Sequence, residues 1–344
     1  MSEGRPGHFI APIFIPNLGC PHKCVFCDQE KITSFSGQKV DARHVEDVLD
    51  LAVGSRAFAR KTPAEVAFYG GTFTMLSEAR IKDLLGAVQP YIKKGHFQSI
   101  RVSTRPDALD DRRLRLMKDY GVLTVELGVQ SMDDEVLSLS GRGHSAGDTA
   151  RAVQALKRHG FKVGIQLMPG LPGDSDVKFR STITQVIKLH PDMVRLYPAV
   201  VIHGTELERL YIKGLYEPLS VDKAVDICIE SCTRLENEGI PVIRIGLMSS
   251  PTLLEKGQIV AGPWHTAFGF LVRSGIYQRR IAAYLPEPGE AAGLNIYLKK
   301  SDLPLIRGYK NEGIKWIENL TGAKVIKVQP DDQIPAGTIK VKKV

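Results

Sequence analysis

Phe9-Ile-Ala-Pro-Ile-Phe-Ile-Pro16 leads through Asn17-Leu-Gly19 into Cys20-Pro-His-Lys-Cys24-Val-Phe-Cys27. A short apolar strand therefore feeds a loop with three cysteines, spaced by three residues and then two. Three thiolates on one loop can hold three irons of a 4Fe–4S cube and leave the fourth iron without a protein ligand; four cysteines would close the cluster. An open iron is a corner where a small molecule can bind and react. The competing reading is structural zinc, which normally takes four Cys/His ligands, often as two separated pairs. His22 is a candidate fourth ligand, but it lies inside the same tight loop. Disulfides fit poorly, because five cysteines is an odd number and Met1–His8 carries no apolar export core. Cys228 and Cys232 lie four apart in a helical stretch, Val221–Gly239, on one helix face. They read as small buried hydrophobes, with a role as further cluster ligands the alternative.

Working outward, apolar runs alternate with helical periodicity. Val66–Tyr69 ends at Gly70-Gly71, Ile100–Thr104 at Arg105-Pro-Asp107, and Thr124–Val129 at Gln130-Ser131. Val163–Met168 ends at Pro169-Gly170 and Met193–Tyr197 at Pro198. Between them, Val40–Ala59, Ser77–Tyr91, Asp110–Tyr120, Ser145–His159 and Asp174–Leu189 repeat at the helical period. Strand then helix, six times over, predicts an α/β fold: a partial (β/α)6 barrel of TIM type, open on one side. Chemistry in such folds gathers at the C-terminal ends of the strands, where each polar or glycine-rich motif above falls.

After Tyr197 the pattern changes. Val201–Thr205 opens a short turn, Val221–Glu238 is helical and Val242–Ile245 is apolar. Pro286–Gly293 is a linker by composition. Leu294–Leu298, Leu303–Leu320, Lys324–Val328 and Thr338–Val341 then read strand, helix, strand, strand. The expected organisation is a core over residues 1–245 and a C-terminal extension over 246–344 with a small α/β module.

The 344 residues are 43% hydrophobic and 24% charged, the balance of an ordinary globular protein. No apolar run is long enough to span a bilayer, so no membrane partner is expected, and reduced cysteines suggest the cytoplasm. The net charge is +8, with lysines recurring at 299, 300, 310, 315, 324, 327, 340, 342 and 343. Lysines neutralise phosphates whatever the base sequence, so RNA is one reading of this segment. A solvated outer face of strands and a helix is the other.

The cysteine spacing resembles that of the radical S-adenosylmethionine (SAM) enzymes. The resemblance goes further. Cys20-Pro-His22, Gly70-Gly-Thr-Phe73, Ser103-Thr-Arg-Pro-Asp107, Val125-Glu-Leu-Gly-Val-Gln-Ser131, Arg142-Gly-His144, Met168-Pro-Gly-Leu-Pro-Gly173 and His203-Gly-Thr205 occur in order. Over residues 10–245 they look like the radical SAM part of the Elongator protein 3 family. The oxygen-independent coproporphyrinogen III oxidases are more distantly similar.

The resemblance implies two cofactors, a 4Fe–4S cluster on Cys20, Cys24 and Cys27, and SAM. It implies reductive cleavage of SAM to a 5′-deoxyadenosyl radical, with an external one-electron donor of flavodoxin or ferredoxin type. Phe26 is placed against the adenine and Gly70, Gly71 and Thr72 beside the methionine amine. From their own chemistry, Gln130 at a strand end can hydrogen-bond a ribose hydroxyl and Arg142 can pair with a carboxylate, a surface arginine in a glycine-rich turn being the other reading of Arg142. Ser103 stands where relatives carry a glutamate that contacts SAM, and Gln166 where the coproporphyrinogen oxidases carry an aspartate. No acetyl-CoA-binding fold is expected in residues 246–344, although larger members of the family carry an acetyltransferase domain. The expected substrate is a tRNA base. A small metabolite or tetrapyrrole, and a non-catalytic iron–sulfur module, are the alternatives. Trp264 and His265, between glycines, line the substrate opening or plug one end of the barrel.

Overall fold

A computed structural model describes residues 9–33, 40–58, 63–248 and 250–344. The expected helix end at Ala59 and the Met1–His8 segment lie outside the described residues. The strands are β1 (Phe9–Phe14), β2 (Ala64–Tyr69), β3 (Ser99–Thr104), β4 (Val122–Gln130), β5 (Lys162–Leu167) and β6 (Met193–Leu196). They continue with β7 (Val201–Ile202), β8 (Val242–Ile245), β9 (Ile259–Ala261), β10 (Gly293–Leu298), β11 (Lys324–Pro330) and β12 (Ile339–Lys343). The helices are α1 (Gln29–Thr33), α2 (Ala42–Val53), α3 (Glu78–Lys93), α4 (Asp111–Asp119), α5 (Asp134–Leu139) and α6 (Ala146–Arg158). Then come α7 (Asp176–Leu189), α8 (Glu206–Ile212), α9 (Val221–Asn237), α10 (Phe268–Ile281), α11 (Leu303–Arg307) and α12 (Glu312–Thr321).

One seven-stranded sheet runs β1-β2-β3-β4-β5-β6-β8, and every neighbouring pair in it is parallel. This is a curled half-barrel of TIM type. It is the expected partial barrel with a seventh strand, Val242–Ile245, added at the β6 edge. Val201–Ile202, read as part of a turn, instead pairs antiparallel with β9 in a separate two-stranded ribbon.

Helix starts follow from their caps. Ser77, Asp110, Ser145 and Ser175 each accept a hydrogen bond from a backbone N–H of the first turn, and Ser145 and Asp148 form a reciprocal capping box. On α3, Ile81, Leu84, Leu85 and Val88 recur at i, i+3, i+4, i+7 and are fully buried. Each such burial is worth about 1.5–3 kcal/mol relative to exposure. On the outer face of the sheet Ile13, Val66, Phe68, Val102, Leu127 and Ile165 are likewise buried.

Contacts divide the chain into two compact units: residues 4–224 with 234–264, and 225–233 with 265–344. The second contains a three-stranded sheet, β11-β10-β12. Leu294, Ile296, Leu298 and Ile339 form its core with Tyr277, Ile281, Ile306 and Ile317. The helix expected over Leu303–Leu320 is broken into α11 and α12. Gly308 takes φ +66°, and Lys310 and Asn311 are also left-handed, so the axis turns there. A Cβ on Gly313 would collide with the Ile306 carbonyl, so the two short helices meet at a glycine contact.

Candidate active site

The inner face of the half-barrel is polar. In-register neighbours place Glu65 and Tyr69 of β2, Arg101 and Ser103 of β3, Glu126 of β4 and Arg195 of β6 on that face. Buried parallel strands are normally apolar on both faces, so these charges need partners. Arg101 donates to Glu65 at 2.6 Å and to Glu126 at 2.5 Å. Arg195 donates to Glu126 at 2.9 Å, to the Tyr69 hydroxyl at 2.8 Å and to the Tyr197 hydroxyl at 3.1 Å. Its guanidinium also lies over the Tyr69 ring, 5.2 Å from the centroid. The four charges sum to zero. Burial and the Glu126 charge push the Tyr69 hydroxyl up to about 12, so it stays a neutral donor or acceptor. A Cβ on Gly164 would crowd the Glu126 side chain at 2.9 Å, which explains glycine there. Sequence reading missed this network. Polar residues at every second position of Ser99-Ile-Arg-Val-Ser103, inside a strand expected to be wholly apolar, were its one signal.

The cysteine loop lies at the C-terminal end of β1 and is clasped to the β2 end. The Gly71 N–H donates to Gln29 Oε1 at 2.8 Å, and the same oxygen accepts from the Asn17 N–H at 2.5 Å. The Thr72 N–H donates to the Leu18 carbonyl at 2.8 Å. A Cβ on Gly71 would collide with that carbonyl and lie 2.7 Å from the Ile15 carbonyl. Gly71 also takes φ +61°, so two independent constraints select glycine. Thr72 is fully buried, and its hydroxyl lies 3.4 Å from Cys20 Sγ.

Cys24 is buried, while Cys20 and Cys27 are half-buried. Burial, reinforced by the neighbouring Cys24 and Cys20, pushes the Cys27 thiol up to about 12; Arg142 opposes this. Phe26 packs in the same apolar cluster as Cys24, Met168, Leu171 and Tyr216, with Tyr197 and Cys27 against it. Arg142 arrives from the loop after α5. Its Nη1 donates to Cys24 Sγ at 2.9 Å and its Nη2 donates to the Gly128 carbonyl, while Nε is buried without a partner. Gln166 Nε2 donates to Gln130 Oε1 at 3.2 Å. Gln130 has φ +71°, unusual for a residue with a side chain, at a bulge between β4 and β5. Ser103 is two residues beyond Arg101 on the same strand face and half-buried.

The three cysteines, Phe26, Thr72, Gln130, Arg142 and Gln166 are thus all carried at the strand ends of one half-barrel. Among the described residues no three Cys, His, Asp or Glu side chains converge as a single-ion site requires. A cube of four irons takes one thiolate per iron, which spreads them. Crowded thiols beside an arginine whose Nε has no acceptor fit an iron–sulfur cluster, whose irons would take the three thiolates, with an added carboxylate. Cys228 and Cys232 are fully buried on α9, and burial holds the Cys228 thiol well above its usual range. They match the reading as small hydrophobes. Trp264 packs against Val200, Ile202 and Leu253, with its Nε1 unpartnered.

His144 follows Arg142 and borders a cavity of about 550 Å³ lined by His22, Asp134, Ser138, Gly141, Gly143 and Ser145. Burial lowers its ring to about 4, helped by Arg142 and Arg105. The Val129 carbonyl faces it without reaching hydrogen-bond geometry.

The Radical SAM superfamily model matches residues 14–186, and the Radical_SAM C-terminal domain model matches residues 191–278. A half-barrel with three cysteines at its strand ends and this match define a radical SAM enzyme; the chain belongs to that superfamily. Within it, the chain is an Elp3-like radical SAM protein. A tRNA uridine(34) acetyltransferase from Methanocaldococcus infernus is 30% identical over 266 residues, covering 76% of this chain and 48% of that one. A heme chaperone HemW from Lactococcus lactis is 27% identical over 209 residues, covering 60% and 54%. The structure of Methanocaldococcus infernus Elp3 with an N-terminal deletion superposes with a TM-score of 0.61 at 23% identity, over 79% of this chain and 63% of that one. The last likeness shows the fold. The chain spans at most about half the length of the tRNA uridine(34) acetyltransferases it matches, 48% and 24% of the first two. No described helix is long and apolar enough to cross a membrane.

Proposed function

We propose that this radical SAM enzyme modifies a tRNA base. The tRNA part of the reading rests on relatives named tRNA uridine(34) acetyltransferase, and the SAM part on one observation in the structure. That observation is Arg142, bonded to Cys24 Sγ, with a buried and unpartnered Nε. An arginine so placed beside a thiolate cluster is built to hold a carboxylate. Cys20, Cys24 and Cys27 would hold a 4Fe–4S cluster, which with bound SAM supplies a 5′-deoxyadenosyl radical when an external donor delivers one electron. Gln130 and Gln166 orient the ribose end, Phe26 supports the adenine, and Ser103 and Thr72 border the remaining SAM contacts. Gly70 and Gly71 let the cysteine loop lie against the β2 end, which sets the distance between cluster and barrel. The Glu65–Arg101–Glu126–Arg195 network holds the Tyr69 and Tyr197 hydroxyls at the inner wall, where they orient a substrate, and burial keeps the Tyr69 hydroxyl neutral. Residues 1–245 are the radical core in this reading and residues 246–344 its extension.

The test is 5′-deoxyadenosine formation by anaerobically reconstituted protein with dithionite and SAM, with and without bulk tRNA. Nucleoside mass spectrometry of the same tRNA follows. Stimulation by tRNA together with a new modified nucleoside supports the reading. Stimulation by a tetrapyrrole or small metabolite, with tRNA inert, overturns the substrate.

A further inference from the structure

The sheet β11-β10-β12 buries one face and exposes the other. Leu294, Ile296, Leu298 and Ile339 point into the core, so Asn295, Tyr297, Lys340 and Lys342 lie on the opposite face. Antiparallel pairing puts Tyr297 opposite Lys340 and Asn295 opposite Lys342. On the other side, parallel pairing puts Lys327 beside Asn295 and Gln329 beside Tyr297. Lys327, Lys340 and Lys342 are exposed. The Lys342 ammonium lies over the Tyr297 ring, 5.3 Å from its centroid. The ring is half-buried beneath that ammonium, and Asn295 Oδ1 on the same strand face is a buried acceptor without a partner.

The charge on this face is one-sided. The three strands contain Lys324, Lys327, Lys340, Lys342 and Lys343 and no aspartate or glutamate. At the rim, Lys324 pairs with Glu318 at 3.2 Å and Lys343 with Glu290 at 2.5 Å. Lys327, Lys340 and Lys342 make no ion pair among the described residues. A soluble surface usually mixes signs, which keeps a field from building up. Here a central aromatic is flanked by unneutralised cations spaced along strands. That arrangement suits a polyanion with flat, unpaired bases. Neither family model reaches these strands, since the second ends at residue 278.

We propose that this sheet face binds a single-stranded segment of RNA. Tyr297 stacks on one base, and Lys327, Lys340 and Lys342 meet the adjacent phosphates. Stacking accepts any base but needs it unpaired, and phosphate contacts carry the salt dependence. The inference rests on the tRNA reading for the source of the RNA, not for the geometry of the face.

The experiment is a fluorescence anisotropy titration of the full chain, reconstituted anaerobically. The probes are bulk tRNA, a single-stranded RNA 12-mer and the same sequence as a blunt duplex. The double variant K340Q/K342Q is expected to weaken tRNA binding at least about tenfold near 0.1 M salt. It should also reduce the slope of log K against log salt by about 1.4–1.8, since each lost phosphate contact removes about 0.7–0.9. Tyr297→Leu, which keeps an apolar stem, is expected to weaken the single strand about fivefold or more and leave the duplex unchanged. SAM cleavage without RNA and the thermal midpoint should match the parent in each variant, which separates lost binding from lost folding. Parent-like binding by both variants, when the parent binds tRNA, overturns the platform and leaves the tRNA reading standing. Tyr297→Leu weakening the duplex as much as the single strand overturns the stacking role. A parent chain that binds no tRNA overturns the tRNA reading itself.

Discussion

Arg142 Nη1 donates to Cys24 Sγ at 2.9 Å, joining residues 118 apart in sequence. The Cys24 side chain therefore has a fixed cation beside it, and the loop after α5 is tied to the cysteine loop. Charge-assisted bonds of this kind contribute about 1.5–3 kcal/mol. Arg142→Gln is expected to weaken SAM binding about tenfold or more while iron content and the visible spectrum persist. Spectral titration of the reconstituted variant with SAM checks it. Parent-like SAM affinity would remove Arg142 from the SAM site.

Gly71→Ala tests the clasp. The new Cβ meets the Leu18 and Ile15 carbonyls at a left-handed backbone position. Strain alone costs on the order of 1–3 kcal/mol, and the collision adds to it. Urea unfolding is expected to show a loss of about 3 kcal/mol, with iron loading reduced. Gly214→Ala, also left-handed at φ +68° but with open space around its Cβ, is expected to lose only about 1 kcal/mol. Equal losses would show that φ and not the close approach decides.

Glu126 bridges Arg101 and Arg195, with side chains that are 7%, 7% and 13% exposed respectively. Removing one member of a buried charge network typically costs about 3–5 kcal/mol, because the others are left uncompensated. Glu126→Gln should lower the thermal midpoint of the apo-protein sharply. Glu126→Met combined with Arg101→Met should be milder than the sum of the two single changes. Additive losses would show that the network is not a unit.

His144 gives a pH dependence. Its folded value, about 4, lies below the ordinary histidine value of about 6.5, so the unfolded chain binds the extra proton between them. Its contribution to stability is present above about pH 6.5 and is lost as pH falls toward 4, by about 3 kcal/mol in total. His144→Gln should flatten that part of the urea-stability profile of the apo-protein. An unchanged slope would mean that the ring is solvated.

The alternation of apolar runs and amphipathic helices was readable because parallel strands covered by helices are apolar where they face them. The strand-end motifs were readable because chemistry at that end needs Gly, Gln and Arg at fixed places. Val242–Ile245 was seen as apolar but not joined to the sheet, since α8, α9 and the start of the β7–β9 ribbon separate it from β6 in sequence. The break at Gly308 was hidden by helical residues on both sides. The inner network was hidden for another reason. Glu65, Arg101, Glu126 and Arg195 are ordinary residues until strand order makes them neighbours, and local sequence does not encode strand order. The positive φ of Gln130 depends on a bulge between two strands and was equally invisible.

The central claim is that Cys20, Cys24 and Cys27 hold an open cluster that cleaves SAM. Its most direct measurement is 5′-deoxyadenosine produced from SAM and dithionite by anaerobically reconstituted protein, beside Cys24→Ala treated identically. The account predicts a brown parent protein that forms 5′-deoxyadenosine and a variant that forms none. A colourless parent, or equal product from Cys24→Ala, would contradict it.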